Sequence, residues 1–327
     1  MNESWRHQRI QLEFKFAGLT LFKVPLVTMM LKDHFTTLKN PQELLPPDIY
    51  GKRWVNCSLI SAYPVQKPLA RLRMISGYLR YSAFQYFHYY IEIQGSFSDY
   101  LQKFSHKARY NLLRTVRLYN EFCGNQKPWK EYCRAEEMDD FYHLASQVSE
   151  KTYQERVLDA GLPKGLKFFK KMKQLAAKNA VLGYILFHDT NPVAYIYCMV
   201  TDKSIVSYAY VGYDPKYAPW SPGRVLLYYL LENLFNKGVP CIFDFTRGGG
   251  PGGHKDFFSN NKVLCAELYY FKWSLRNFFI ILTHMCIKVS SEWFTRLLVF
   301  LNIKDRLVHF VKNPTSVRAA KTGENVP

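Results

Sequence analysis

The sequence predicts an α+β protein in which a mixed, largely antiparallel sheet is flanked by helices. Three short runs have strand composition and are separated by Asp-Thr-Asn-Pro and Asp-Lys turns: Ala180 to His188, Pro192 to Thr201 and Ser204 to Tyr213. They predict an antiparallel meander. Helical periodicity precedes the meander, and a strongly apolar helix follows it. This change of period indicates helices packed against a sheet.

The composition sets the broad class of the protein. Its 327 residues are 48% hydrophobic, which is enough for a sizeable core and excludes a disordered chain. The formal net charge of +18 favours anionic partners. Phosphorylated cofactors, nucleic acid and an anionic membrane surface all remain open at this point.

The cysteines and the apolar segments bear on location. Seven cysteines are scattered without a CxxC pair or a Cys/His cluster, which favours reduced thiols, a cytoplasmic protein and no structural metal. The N-terminal sequence lacks the apolar core of a signal peptide. The most hydrophobic stretch, residues 277–289, is too short to span a bilayer, so we expect no transmembrane segment.

The clearest amphipathic helix is predicted over Ser98 to Glu121, with Ser98 as its N-cap. Its solvated face carries a row of cations: Lys103, Lys107, Arg114 and Arg117. Arg109 flanks the apolar face instead, which makes it a better candidate for a specific contact.

The other predicted elements complete the sheet and its helices. Residues 1–97 are mixed, with strands at Val55 to Ala62 and Ser82 to Ile93. Further predicted elements are helices at Glu136 to Val148 and Lys164 to Lys178, a strand at Cys241 to Phe245, a glycine-rich loop over 246–258, a strand at Ala266 to Trp273 and C-terminal helices.

The helix after the meander begins at Ser221-Pro222-Gly223-Arg224. Ser221 is a potential cap, Pro222 suits the first helical position, and Gly223 permits close approach of a ligand. A helix start normally prefers acids, whereas Arg224 adds to the positive end of the dipole. The quartet therefore predicts an anion site with Arg224 as a bidentate phosphate donor, the alternative being a capped helix with a surface arginine.

Four stretches in order resemble GNAT acyltransferases, in particular the cellulose-biosynthesis-type branch related to Fem-like transferases. They are FSHKARYNLLRTVR (104–117), EKTYQERVLDAGLP (150–163), GYDPKYAPWSPGRVLL (212–227) and DFTRGGGPGGHKDFF (244–258). The likeness covers residues 98–273. It implies the GNAT fold, with acyl-CoA in the gap between the last meander strand and the helix that follows it, and it requires no metal.

The resemblance also assigns roles to individual residues. The expected acyl-CoA site comprises Tyr210, Val211, Gly212, Ser221, Pro222, Gly223 and Arg224. The expected acceptor site comprises Arg109, Tyr153, Gln154, Arg247 and Lys255. The catalytic candidates are Asp244 or His254 as the general base and Tyr213 as the donor of a proton to the leaving thiolate.

Two of these assignments have open alternatives. A carboxylate such as Asp244 can instead pin Arg247 or Lys255, and His254 stands where the family usually has an aromatic residue. The loop GGGPGG lacks the spacing of a phosphate-binding GxxxxGK[ST] motif, so nucleotide triphosphate binding is rejected.

The function implied is transfer of an acetyl or other acyl group to an amine or hydroxyl of a sugar precursor or cell-envelope polysaccharide component. One alternative is an aminoacyl-tRNA-dependent transferase of the Fem type, in which tRNA is the nucleic-acid partner. Another is a basic module without catalysis that binds nucleic acid or a membrane surface.

The predicted organisation has four parts. Residues 1–97 form an N-terminal portion, for which a degenerate second GNAT lobe is an open alternative, and residues 98–273 form the acyltransferase domain. Residues 274–312 are helical, with Phe, Trp and Leu among Lys and Arg, so peripheral docking on an anionic membrane and core packing are both open. Residues 313–327 are a polar tail.

Overall fold

The structure, a computed structural model, describes residues 5–17, 19–31, 57–124, 128–152, 161–201, 204–247 and 253–300. The chain divides into two compact units. The first comprises Met1–His88 and Val263–Pro327, and the second comprises Tyr89–Lys262. The unit boundaries thus fall at 88/89 and 262/263, whereas the sequence places domain boundaries at 97/98 and 273/274.

Eleven strands are present in the described ranges. They are β1 Trp5–Phe16, β2 Leu19–Leu31, β3 Cys57–Pro64, β4 Leu72–Ile75, β5 Tyr78–Ile93, β6 Trp129–Tyr132, β7 Val181–His188, β8 Asn191–Val200, β9 Ile205–Tyr213, β10 Cys241–Asp244 and β11 Asn261–Lys272. The α-helices are α1 Phe97–Gln102, α2 His106–Phe122, α3 Met138–Ser149, α4 Leu166–Ala176, α5 Pro222–Asn236, α6 His254–Phe258 and α7 Leu275–Phe300, with 3₁₀ turns at Ala135–Glu137 and Pro215–Trp220.

The second unit is a sheet with helices on both faces. Its strand order is β5-β10-β9-β8-β7-β6, in which β9 and β10 are parallel and the other pairs are antiparallel. Helices α1, α2 and α5 contribute to the core on one face, and α3 and α4 to the core on the other. The predicted meander is β7, β8 and β9, and the predicted α+β class is confirmed.

The first unit is built on the strands β1-β2-β3-β11-β5, with β4 paired to β5. Helix α7 packs on one face of these strands, where Ile281 is fully buried. The predicted elements do not include the β1–β2 hairpin, although a period-2 alternation is present at Ile10, Leu12, Phe14 and Phe16.

The predicted helix from Ser98 to Glu121 is wrong, because the chain forms two helices there. Ser96, and not Ser98, is the N-cap of α1, and its hydroxyl accepts the Asp99 amide at 3.1 Å. Ser105 interrupts the helical run, since its ψ of 152° is extended and its hydroxyl accepts the Ala108 amide at 3.3 Å. A side-chain cap in the middle of an amphipathic pattern starts a new helix without disturbing the pattern.

The end of α5 follows the prediction. The helix stops at Asn236, Lys237 is the C-cap, and Gly238 takes the left-handed φ of +64° expected of a C′ glycine. No described helix of the chain combines the length and the hydropathy needed to cross a bilayer.

Candidate active site

The second unit contains a cavity where β9 loses its partner strand. β10 pairs with β9 over only three residues and stops at Asp244, opposite Ser207. β9 continues to Tyr213, so residues 208–213 have β8 on one side and no described strand on the other, which we call the open edge. The cavity beside this edge has a volume of about 400 Å³.

The open edge presents backbone donors to the cavity. Successive amides of a strand in an antiparallel pair point in opposite directions. The Asp214 amide donates to the Val193 carbonyl at 2.8 Å, so the Gly212 amide also faces β8. The amides of Val211 and Tyr213 therefore point away from β8, toward the open edge. Neither has an acceptor among the described residues, and both residues line the cavity.

Ser221 does not cap α5 as predicted. It occupies the N-cap position, but its φ of +51° and ψ of 48° are left-handed and its side chain makes no cap hydrogen bond. Its carbonyl accepts the amides of Arg224 and Val225, at 3.0 and 3.2 Å. Since Pro222 has no N–H, Gly223 carries the first-turn amide that has no acceptor in the described part of the chain. Ser221, Pro222, Gly223 and Arg224 all line the cavity, so the predicted anion site has one amide and one guanidinium.

Arg224 is exposed at the cavity and lies over an aromatic ring. Its Cζ is 5.3 Å from the centroid of Phe257. A guanidinium over a ring face is held by cation–π attraction while its N–H groups remain available. The residue is therefore oriented without being neutralised.

His254 also lines the cavity, at the start of α6. Solvent reaches its ring, yet partial burial lowers its pKa from the ordinary 6.5, and the charges of Lys255 and Arg224 lower it further. The imidazole is thus neutral at physiological pH, the form that accepts a proton. The Tyr208 ring, whose centroid lies 6.4 Å from that of His254, is a second polar group at the cavity.

Asp244 and Lys255 lie beside the cavity and do not line it. The buried Asp244 carboxylate accepts the Thr246 amide at 2.7 Å. The Lys255 ammonium donates to the carbonyls of Phe245 at 2.7 Å and Arg247 at 3.1 Å. Burial lowers the pKa of Lys255, and the Asp244 charge opposes that effect. These contacts fix the backbone that follows β10.

The two meander tyrosines predicted at the site lie on different faces. Tyr213 is 42% exposed at the cavity, whereas Tyr210 packs against Phe168 and Tyr197 in the core on the other side of the sheet. The two residues are three positions apart in β9, and the strand pairs regularly with β8 from Tyr210 to Tyr213, so the alternation of side chains places them on opposite faces of the sheet.

Gly212 lines the cavity and is also a packing position. A Cβ placed there would lie 2.7 Å from the Tyr195 ring and 2.7 Å from Thr152 Cγ2. At Gly223, by contrast, a Cβ would meet Tyr213 at an ordinary 3.6 Å. Gly212 is therefore required by close packing, whereas Gly223 keeps the helix start open to a ligand.

The remaining predicted substrate residues are away from the cavity or not described. Arg109 is half-buried on α2 and does not line the cavity, and its side chain has no hydrogen bond or ion pair with the described residues. Tyr153 and Gln154 lie outside the described residues. The described side chains include no group of three or more His, Cys, Asp or Glu arranged to hold a metal ion.

Several lining residues were not found from the sequence: Tyr195, Ile196, Tyr208, Ala218, Leu227 and Phe258. Leu227 follows Arg224 by three residues on the same helix, so helical spacing is a signal for it. Phe258 and the residues of β8 have no comparable local signal, because strand pairing and the contacts of α6 bring them to the cavity.

Comparisons with known proteins agree with this architecture at the level of the domain. Residues 106–257 match the family model described as an acetyltransferase (GNAT) domain. The match does not distinguish the cellulose-biosynthesis-type branch, which stays a prediction. No curated protein matches the chain.

Several solved structures are similar to the chain at low identity. The crystal structure of FemX is 10% identical over 85% of this chain and 90% of that one, with a TM-score of 0.49. L-PGS from Bacillus licheniformis is 15% identical over 86% of this chain and 88% of that one, also with a TM-score of 0.49. A putative GNAT-family acetyltransferase from Novosphingobium aromaticivorans is 10% identical over 67% and 76%, with a TM-score of 0.33.

Proposed function

We propose that the protein is an acyltransferase that moves an acetyl or other acyl group from acyl-CoA to an amine or hydroxyl. The observation that carries the proposal is the cavity at which the unpaired edge of β9, the start of α5 and His254 meet. The match of residues 106–257 to a GNAT acetyltransferase domain supports it.

The cavity has the features that an acyl-CoA donor needs. About 400 Å³ lies within the usual range for small-ligand pockets. Ile196, Leu227 and Phe258 provide an apolar wall for the pantetheine arm. At the α5 start, the Gly223 amide and the Arg224 guanidinium are suited to the phosphates.

The reaction we assign to the site is direct attack on the thioester. The amides of Val211 and Tyr213 donate hydrogen bonds to the thioester oxygen, where negative charge develops. The acceptor nitrogen or oxygen bonds to the acyl carbon, and its proton passes to neutral His254. The carbon–sulfur bond breaks, and the leaving thiolate takes a proton from the Tyr213 hydroxyl, which solvent then restores.

His254 is favoured over Asp244 as the base because its imidazole lies at the cavity and the Asp244 carboxylate does not. The imidazole lines the cavity, whereas the Asp244 carboxylate is buried and bonded to the Thr246 amide. We assign Asp244 and Lys255 to positioning of the backbone after β10.

The acceptor is proposed from the sequence motifs: a sugar precursor or a cell-envelope polysaccharide component. Arg109, Tyr153, Gln154 and Arg247 are kept as acceptor-site candidates. Arg109 is the strongest of the four, because it is half-buried without an anionic partner in the described part of the chain.

A charged tRNA is the alternative donor, and the exposed cations Lys107 and Arg114 of α2 are the observation that favours it. Turnover with acetyl-CoA by nuclease-treated protein supports acyl-CoA as the donor. Turnover that requires charged tRNA, and is abolished by nuclease, supports the alternative.

Calorimetric titration with CoA tests the donor site. Arg224→Ala removes the phosphate donor and should weaken binding by about tenfold or more, because a charged hydrogen bond contributes about 1.5–3 kcal/mol. Gly223→Val should also weaken binding, because a branched side chain would occupy the helix start. Arg114→Ala, an exposed arginine of α2, is the matched control and should bind as wild type does. Absence of CoA binding by the wild type, or indifference of binding to both site variants, contradicts the proposal.

A further inference from the structure

We infer that one face of the first unit binds the surface of an anionic lipid bilayer. The face is formed by the exposed side of α7 and the tip of the β1–β2 hairpin. This inference does not depend on the proposed acyl transfer.

Helix α7 exposes an uncharged line of side chains along its length. The line consists of Leu275, Phe279, Thr283, Cys286, Ser290, Trp293 and Leu297, each three or four residues after the one before it. The opposite side of the helix is buried in the unit's core through Ile281 and His284. Trp293 is 68% exposed, although tryptophan side chains are highly buried on average.

The hairpin tip adds a second group of exposed apolar side chains. Leu19, Leu21 and Phe22 are 73%, 56% and 45% exposed. The tip lies beside the end of α7, because the Ala17 amide donates to Ser291 Oγ at 2.9 Å and the rings of Phe16 and Phe294 are 5.3 Å apart. We call this combined surface the hairpin–helix patch: Leu19, Leu21, Phe22, Trp293, Phe294 and Leu297.

The charges around the patch are positive. Arg296 is exposed next to it, Arg276 is exposed at the start of α7, and Lys272 precedes that helix at the end of β11. Glu292, the acid within the described part of α7, is paired with Arg71 at 2.8 Å. Glu13 is paired with Lys15 and Lys23, so the hairpin has a net positive charge near its tip. Anionic lipid headgroups complement this distribution.

The charge also decides between a bilayer and a second copy of the chain. A net charge of +18 makes two copies repel each other, whereas it attracts the protein to an anionic surface. Exposed Trp, Phe and Leu flanked by Lys and Arg is the composition of helices that lie in the membrane interface. We therefore assign the patch to lipid headgroups and the upper acyl chains.

Vesicle flotation of the full chain tests the inference. The protein should float with vesicles of equal parts phosphatidylcholine and phosphatidylglycerol, and binding should weaken as salt rises, because part of the attraction is electrostatic. Trp293→Ser combined with Leu297→Ser should reduce the partition coefficient between water and vesicles by about tenfold or more, because two apolar side chains that would move from water into the bilayer are lost. Leu19→Ser combined with Leu21→Ser is a second, independent variant with the same expected direction.

Leu166→Ser is the matched control, because Leu166 is 63% exposed on α4 of the second unit. It should float as wild type does. All variants should bind CoA equally, which separates this inference from the donor site. Wild-type protein that stays unbound at low salt, or patch variants that bind normally, would overturn it. So would sedimentation showing a wild-type dimer that the patch substitutions dissociate, because the occupant would then be a second copy.

Discussion

At the scale of single residues, the proposed role of His254 as the base requires an uncharged imidazole. Partial burial lowers the pKa of its imidazole, and the neighbouring Lys255 and Arg224 lower it further. In the proposed function the same arginine binds the donor's phosphates, so a bound anion would partly offset its effect on the pKa of His254. Donor binding and proton acceptance would then be linked electrostatically.

The pH dependence of kcat/KM tests the role of His254. Activity should fall on the acid side with an apparent pKa below 6.5, because the free enzyme's base must be unprotonated. His254→Gln should lower kcat by about two to four powers of ten and remove this limb. Arg224→Met should move the limb to higher pH, because one cation near the imidazole is lost. Lys216→Met, an exposed lysine, should leave it in place. An unchanged profile in His254→Gln would place the base elsewhere.

The two cavity glycines should respond differently to a methyl group. Gly212→Ala places a Cβ 2.7 Å from the buried Tyr195 ring, so we expect a loss of about 1–3 kcal/mol in the free energy of unfolding. Gly223→Ala meets Tyr213 at 3.6 Å and should cost little. Urea denaturation of both variants compares them directly. Equal stabilities would show that the side chains packed against Gly212 can move to accept a methyl group.

His284 predicts a pH dependence of stability in the first unit. Its Nε2 donates to the Glu13 carbonyl at 3.2 Å, so its Nδ1 accepts the Tyr81 hydroxyl at 2.6 Å. Burial lowers the pKa of the ring, with a smaller lowering by Lys288 that the Glu13 bond opposes. The unfolded chain therefore binds more protons just below pH 6.5, and stability should fall as the pH drops through that range.

Urea melts at pH 8 and at about pH 5 measure this effect, since the ordinary histidine pKa of 6.5 lies between them. His284→Gln should reduce the difference between the two melts, because a glutamine does not titrate. His143→Gln, an exposed histidine on α3, is the control and should preserve the difference. A His284→Gln protein with the full wild-type difference would show that other groups cause it.

At the scale of elements, the short helix α6 is positioned by α1. The Tyr100 hydroxyl donates to the Phe258 carbonyl at 2.7 Å, and the Lys103 ammonium donates to the same oxygen. Lys103 was predicted to be on a solvated row of cations; the residue is exposed as a whole, but burial around its ammonium lowers its pKa to about 7. Because His254 begins α6 and Phe258 ends it, α1 sets the position of both cavity residues.

Removing one α1 contact should therefore affect catalysis at a distance. Tyr100→Phe deletes a buried hydrogen bond while it preserves the ring, and should cost about 0.5–1.5 kcal/mol of stability. We also expect a lower kcat with a smaller change in CoA affinity, because the helix that carries the base is less firmly held. Tyr110→Phe, at a tyrosine that is 55% exposed on α2, should change neither quantity. A Tyr100→Phe enzyme with normal kcat would show that this contact of α1 does not affect catalysis.

At the scale of the whole molecule, the positive charge has consequences for the donor. A net charge of +18 raises the local concentration of anions and speeds their encounter with the protein. This attraction comes from the charges of the whole protein, whereas the contact proposed for Arg224 comes from one side chain.

Ionic strength should therefore change kcat/KM for acetyl-CoA. We expect a fall of about tenfold between low salt and molar salt, with a smaller change in kcat, because screening weakens the encounter. S-acetylpantetheine, which lacks the phosphates, is the matched control and should show little dependence. Equal salt dependence for the two donors would mean that the charge of the protein does not steer the phosphates.

The sequence by itself determined the elements whose signals are local. The meander β7–β9 and the end of α5 at Gly238 were predicted closely, because side-chain period and a left-handed C′ glycine depend on neighbouring residues. Of the residues predicted for the donor site, Val211, Gly212 and Ser221 to Arg224 line the cavity, because they adjoin one strand-to-helix junction. The split at Ser105 was missed because a cap does not interrupt an amphipathic pattern.

The tertiary structure decided which polar groups face the cavity. Asp244, His254 and Lys255 are close in the sequence, yet of the three only His254 lines the cavity. The side chains of Asp244 and Lys255 instead bind the backbone around Phe245 to Arg247. The amides of Val211 and Tyr213 have no acceptor among the described residues because β10 stops pairing with β9 at Asp244. The physical reason is that strand pairing and its end points are set by contacts between residues far apart in the chain, for which a single sequence carries no local signal.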